Sequence, residues 1–244
     1  MTELEISIGD RIATLVLNRP DKANALNASL VESLHEALDQ ALNGPLKLLV
    51  LRGAGRNFCA GFDFSDFETA SIAELAWRFI RIEHLLQRLA HAPCATMALA
   101  QGACFGAGAD LVVACGTRIA TPDARFRMPG WRFGLALGTR RLARRIGDAA
   151  ALRMLEGAIV LDASAAAKIG LIDEIRMPET WDAQSSAAQS RGESLDDVAG
   201  QGLRKILTPD TRGPDMASLI ESLTNGDLKA RIREFRQPSQ AVWK

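Results

Sequence analysis

Apolar and polar residues alternate along "LEISIGDRIATLVLN" (residues 4–18), break at Gly9-Asp10, and resume. Period-2 alternation around a turn pair predicts a β-hairpin. The period then changes. Leu30, Val31, Leu34, Ala37, Leu38, Ala41 and Leu42 recur at helical spacing, with Asn27 at the N-cap and Gly44-Pro45 as the stop, so a helix is expected to about Asn43. "LKLLVLRGAG" (46–55) reads as a buried strand running into a glycine turn. A longer helix is expected from about Ser71 to Leu89, then a strand in "CATMALAQG", a helix in "GADLVVAC" and a short strand in "TRIATP".

From about Gly138 the chain reads mostly helical. "LDASAAAKIGLIDEI" is a capped helix, a glycine stop and a short strand, and the tail reads as two helices split at Asn225-Gly226. Residues 180–200 are polar and specify their helix weakly. The order of elements predicts an α/β fold, a parallel or mixed sheet with helices outside.

Composition narrows the picture only modestly. The 244 residues are 48% apolar and 24% charged, with no net charge, as in an ordinary globular enzyme. Nothing resembles a nucleic-acid footprint or a polybasic membrane anchor. No apolar run reaches membrane-spanning length, and the N-terminus carries no basic-then-apolar leader. "GTRRLARRIG" is the one local basic excess, read as a solvated helix face. Cys59, Cys94, Cys104 and Cys115 lie among small or apolar residues without metal-ligand spacing. They are expected to be reduced and mostly buried in a cytoplasmic protein.

The candidate chemistry sits in two stretches of bare backbone, "FCAGFDF" after one strand and "QGACFGAGAD" after the next. In a parallel sheet the carboxyl ends of neighbouring strands lie side by side, where ligands usually bind. A helix starting near Gly106 leaves its first N–H groups unpaired, with positive dipole potential. Two such N–H groups converging on one point form an oxyanion hole. Close strand–helix packing also calls for small residues.

"LNRPDKANALN", "FCAGFDF", "QGACFGAGADL" and "GTRIATPDARFRMPGWRFGL" occur in that order and together resemble the crotonase (enoyl-CoA hydratase/isomerase) superfamily. The resemblance spans essentially the whole chain. It implies a crotonase-like spiral of ββα units over residues 1–180 that binds an acyl-CoA thioester. A helical C-terminal region, 181–244, would serve oligomerisation and cover the pocket. It implies a homo-oligomer, a trimer or dimer of trimers. No metal and no separate cofactor are expected, because coenzyme A is part of the substrate. By resemblance the oxyanion donors are the N–H groups of Phe62 and Ala107. Lys22 contacts a phosphate of coenzyme A, and Ala23 and Ala25 line its adenine. Ala60, Gly61, Asp63 and Phe64 flank the first donor, Phe105 and Gly106 precede the second, and Pro129, Gly130 and Trp131 face them. Asp63 also reads as the carboxylate of a local turn. Trp131 reads either as a pocket wall or as core.

The resemblance breaks at the acids. Hydratases of the family share the addition of water between two glutamates. Asp110 stands at the first position, its carboxylate set back by about 1.5 Å. Gly130 stands at the second and has no side chain. Asp110 therefore reads either as a lone catalytic acid or as a carboxylate that complements a helix dipole. "GLALGTRRL" is shorter than the family's usual stretch, and Gly138 sits near where some members carry an aspartate. His84, on the helix with Ile80, Leu85 and Leu89, reads as a core or surface histidine, and His35 and His91 as surface or helix-end residues.

Overall fold

The computed structural model describes residues 2–237. Leu4–Ile8 (β1) and Ile12–Leu17 (β2) form the antiparallel hairpin. Its turn closes with Arg11 in the left-handed region (φ 63°). The Asn27 side chain caps Ala28–Leu42 (α1) by accepting from the Leu30 N–H. Leu48–Gly53 (β3) then pairs parallel with β2. Ser71 caps Ile72–Ala90 (α2), which leads into Ala95–Ala100 (β4) alongside β3. β3 and β4 are buried on both faces, as parallel strands covered by helices must be.

The sequence pattern assigned no element to Ala103–Phe105, which is a short strand (β5). Ala107–Ala114 (α3) follows it, and Thr117–Ala120 (β6) returns to the main sheet beside β4. β5 instead pairs with Arg125–Arg127 (β7), and β7 later pairs with Leu161–Asp162 (β8), forming a second, three-stranded sheet. Strands of two or three residues carry no readable period. Their partners, distant in sequence, define them.

Gly130–Phe133 is a single 3₁₀ turn. Thr139–Ile146 (α4), Asp148–Gly157 (α5) and Ala163–Lys168 (α6) follow, and Glu174–Ile175 (β9) ends the six-stranded sheet. The polar stretch from 180 folds as two helices, Trp181–Glu193 (α7) and Asp197–Leu207 (α8). Two side chains anchor the first: Trp181 and Ala188 are buried with Leu48, Val50, Met97, Leu99 and Ile119 on the back of the sheet. The tail is Arg212–Thr224 (α9) and Leu228–Arg236 (α10), broken at Asn225-Gly226 as expected. Residues 238–244 of the expected C-terminal region lie outside the described residues.

Two expectations about surface residues are corrected. "GTRRLARRIG" is not a uniformly solvated face: Arg141 is nearly buried against Glu83, and Arg145 turns inward to the exposed carbonyls at the end of α3, donating to Cys115 O at 2.9 Å. His35 is buried rather than at the surface, its Nε2 3.1 Å from Arg81 O.

Candidate active site

The two bare stretches meet. Cys59 N–H donates to Ala103 O at 3.1 Å and Phe105 N–H to Cys59 O at 2.9 Å, tying the loop after β3 to β5. Gly61 (φ +93°) makes the approach possible: a Cβ there would lie 2.5 Å from Phe105 O and 3.4 Å from Ala107 N. On its other side Leu26 N–H donates to Gly61 O at 2.7 Å, and Asp63 N–H to Leu26 O at 3.0 Å. Because peptide groups alternate along an extended segment, this pairing turns the Phe62 N–H away from Leu26. Ala107 is the first residue of α3, so its N–H has no partner within the helix. Among the hydrogen bonds of the described residues, neither the Phe62 nor the Ala107 N–H has an acceptor.

Both residues border a small pocket of about 70 Å³. Ala60, Phe62, Phe64, Phe105, Gly106 and Ala107 contribute one side of it. Pro129, Gly130 and Trp131 contribute another, brought there by the β5–β7 pairing and by Gly106 N–H donating to Arg127 O at 2.7 Å. Phe79, Phe133 and Phe235 complete an aromatic wall beside Phe62, Phe64, Phe105 and Trp131, and these three were not anticipated. Phe79 of α2 stacks on Phe62 with ring centroids 4.3 Å apart, and Phe133 contacts Phe235 of α10 at 5.0 Å. The signal for Phe79 was its place on the apolar stripe of α2; Phe235 comes from far along the chain and had none. Trp131 is both a wall and half-exposed, its Nε1 donating to Thr139 Oγ1 at 3.0 Å.

The "DKANAL" loop lies against the same segment. Pro20–Lys22 is a 3₁₀ turn, and Ala23 and Asn24 follow in the left-handed region. Buried Asn24 donates to Ala54 O and Asn57 O, and Ala60 N–H donates to Ala23 O at 2.9 Å. Lys22 is exposed on this loop and Ala23 and Ala25 are half-buried beside it; none of the three lines the pocket. Asp63 is not at the pocket wall. It pairs with Arg19 at 2.9 Å and accepts from Ser65 N–H at 3.0 Å, the local-turn arrangement. Burial works against its ionised form, but these bonds outweigh it and hold the carboxyl below the usual range.

Asp110 is the one ionisable group at the pocket wall among the described residues. It is 3% exposed, and its Oδ1 has no hydrogen-bond partner. Burial pushes its carboxyl well above the usual range; the Arg141 guanidinium opposes this, and Glu83 reinforces it. Asp110 lies in the first turn of α3 and beside Gly138, the N-cap of α4. Each helix terminus favours the anion by about 0.3–1 kcal/mol. Burying a carboxylate without full hydrogen bonding costs several kcal/mol, so burial prevails. Glu83 and Arg141 were not anticipated, although Glu83 is an acid on the apolar face of α2 between Phe79 and Leu86.

The cysteines carry no chemistry here. All four are buried, and burial pushes the Cys59 thiol up to about 12. Among the described residues no group of His, Cys, Asp or Glu side chains is arranged to hold a metal ion. No helix of the described residues is long and apolar enough to cross a membrane.

These features define an α/β protein whose single-carboxyl, aromatic-walled pocket opens where two parallel strands end beside a helix N-terminus. Residues 7–197 match the enoyl-CoA hydratase/isomerase family model, and the chain belongs to that family. Its fold superposes on a Bordetella parapertussis structure described as an enoyl-CoA hydratase/isomerase, with a TM-score of 0.96 and 44% identity over 98% of this chain and 100% of that one. The crotonase-like α/β spiral is therefore the fold. The Mycobacterium tuberculosis protein echA6, named as an enoyl-CoA hydratase, is 34% identical over 84% of this chain and 82% of its own. A mouse ethylmalonyl-CoA decarboxylase is 33% identical over 68% of this chain and 53% of its own.

Proposed function

We propose that the protein acts on an acyl-CoA thioester through an enolate, with the Phe62 and Ala107 N–H groups as the oxyanion hole and Asp110 as the only side chain that moves a proton. The observation that supports this reading is that Phe62 and Ala107, whose N–H groups have no acceptor among the described residues, line one largely apolar pocket with a single carboxyl. Charge developing on the thioester oxygen is stabilised by donors already in place, an effect worth about 3–4 kcal/mol per donor in a measured case. Such a hole lowers the energy of the enolate more than that of the substrate, which is what accelerates the step.

A second carboxyl for sharing the addition of water is missing, since Gly130 stands at that wall. Isomerisation and decarboxylation need one acid or base at most. Decarboxylation is the second reading, favoured by the buried state of Asp110 and by the activity named for the mouse relative. Loss of CO₂ makes the enolate without a base.

The test is turnover. Crotonyl-CoA, a 3-enoyl-CoA and an alkylmalonyl-CoA are offered to the wild type and to Asp110→Asn. Turnover of at least one, reduced by about 10²–10⁴-fold in the variant, is the expected result. Binding of all three with no reaction above background would leave an acyl-CoA-binding protein instead. The Lys22 loop is proposed to receive the nucleotide end, and a homo-oligomer is proposed as the working assembly.

A further inference from the structure

Behind the pocket, side chains from four helices meet away from water. Asp110 comes from α3, Glu83 from α2, Arg141 from α4 and Asp215 from α9. Glu83 engages both terminal nitrogens of Arg141, through Nη1 at 2.9 Å and through Nη2. Asp215 Oδ2 accepts a further bond from Arg141 Nη1 at 3.2 Å. Gln87 Nε2 donates to Glu83 Oε1 at 2.9 Å. From the outer side, Arg140 Nη1 donates to Asp215 Oδ1 at 3.1 Å and Thr211 Oγ1 to Oδ2 at 2.7 Å. Two buried polar atoms are left without partners: Asp110 Oδ1 and Arg141 Nε.

The charges do not balance if every acid is ionised. Three buried carboxyls face one buried guanidinium, while half-exposed Arg140 pairs with Asp215 alone of the three. Two of the three carboxyls hold Arg141 by direct hydrogen bonds, and Asp110 does not. The proton that restores balance belongs on the carboxyl with no ionic partner. We propose that Asp110 rests as a neutral carboxylic acid, and that Glu83 keeps it neutral by engaging Arg141 from the far side. Glu83 and Arg141 are positioning residues in this scheme: they set the state of Asp110 and touch no substrate.

The catalytic meaning of this state rests on the acyl-CoA reading above; the state itself does not. A neutral Asp110 enters the reaction as a proton donor. When the Cα–carboxylate bond of a malonyl-type thioester breaks, its electron pair passes into the enolate and CO₂ leaves. The enolate α-carbon then takes the Asp110 proton, and solvent water returns one to the carboxylate. A base-initiated reaction would need Asp110 ionised at the start.

The experiment is infrared difference spectroscopy of the intact protein across pH, with Asp110→Asn assigning the band. At neutral pH a protonated-carboxyl stretch is expected in the wild type and absent in Asp110→Asn. Glu83→Gln leaves a hydrogen-bonding side chain beside Arg141 but removes the competing charge. The Asp110 titration midpoint should then fall by about one pH unit or more. Asp215→Asn should shift it in the same direction, and serves if Glu83→Gln does not fold. A wild-type spectrum without the band overturns the proposal, as does a midpoint that stays in place when either charge is removed. A purely structural Glu83 would lower stability and leave the midpoint unmoved. Because the readout needs no turnover, an inactive protein that shows the band counts against the acyl-CoA chemistry and not against the proton state.

Discussion

Asp110 occupies the space that a side chain at Gly138 would need: a Cβ on Gly138 would lie 1.6 Å from Asp110 Oδ1. Gly138 also sits at φ +64° as the N-cap of α4. The pocket carboxyl and the start of α4 are thus packed as one unit, with no room for a side chain at position 138.

Gly138→Ala should therefore be among the most damaging small substitutions in the chain. The left-handed backbone costs Ala roughly 1–2 kcal/mol, and overpacking adds about 1–3 kcal/mol. Chemical denaturation should show a combined loss of about 2–5 kcal/mol. Turnover should fall further than the folded fraction, because the Asp110 carboxyl is displaced. An unchanged midpoint would show that Asp110 packs elsewhere.

Asp110 also makes stability depend on pH. Its carboxyl is raised in the folded state by burial, with Arg141 opposing and Glu83 adding. A folded value above the unfolded one means that the folded protein holds the proton longer. The contribution is fully present below the unfolded carboxylate value, about 3.9, and is lost as pH rises through the folded value. Melting curves of Asp110→Asn should therefore gain on the wild type as pH rises through this window. Parallel curves would contradict the burial assignment.

The oxyanion hole can be tested through the glycine beneath it. In Gly61→Ala the new Cβ meets Phe105 O at 2.5 Å on a backbone at φ +93°. Separating the Phe62 and Ala107 N–H groups should lower kcat by about 10²-fold or more. Coenzyme A itself should bind nearly as before. If kcat holds in a folded variant, the hole lies elsewhere.

Gly130→Glu restores a carboxyl at the empty wall. Its Cβ would lie 3.1 Å from Leu135 O, so a small shift of that turn is required and some stability is lost, about 1–3 kcal/mol. Hydration of crotonyl-CoA above the wild-type rate is the expected gain. A folded variant without it would show that the site lacks more than a second acid.

Lys22 is exposed on the loop that docks against Ala60. Lys22→Ala should weaken coenzyme A binding by about two- to fivefold, the scale of an exposed ion pair. The effect should shrink at high salt and vanish for dephospho-coenzyme A. Equal losses for both ligands would remove Lys22 from the phosphate site.

The main elements were legible in the sequence because each is locally periodic: the hairpin, the capped helices α1 and α2, the apolar strands β3 and β4, and the break at Asn225-Gly226. The close meeting of "FCAGFDF" and "QGACFGAGADL" was legible for the same local reason, since bare backbone marks where chains approach. What only the tertiary structure decided is set by neighbours remote in the chain. β5 exists because β7 pairs with it, and that pairing carries Pro129, Gly130 and Trp131 to the pocket. Arg141 is buried because Glu83 and Asp215 receive it. Asp110 could be read from its position as an acid or as a dipole partner. Its surroundings come from α2, α4 and Gly138, and a carboxyl's charge is governed by the groups and the water around it.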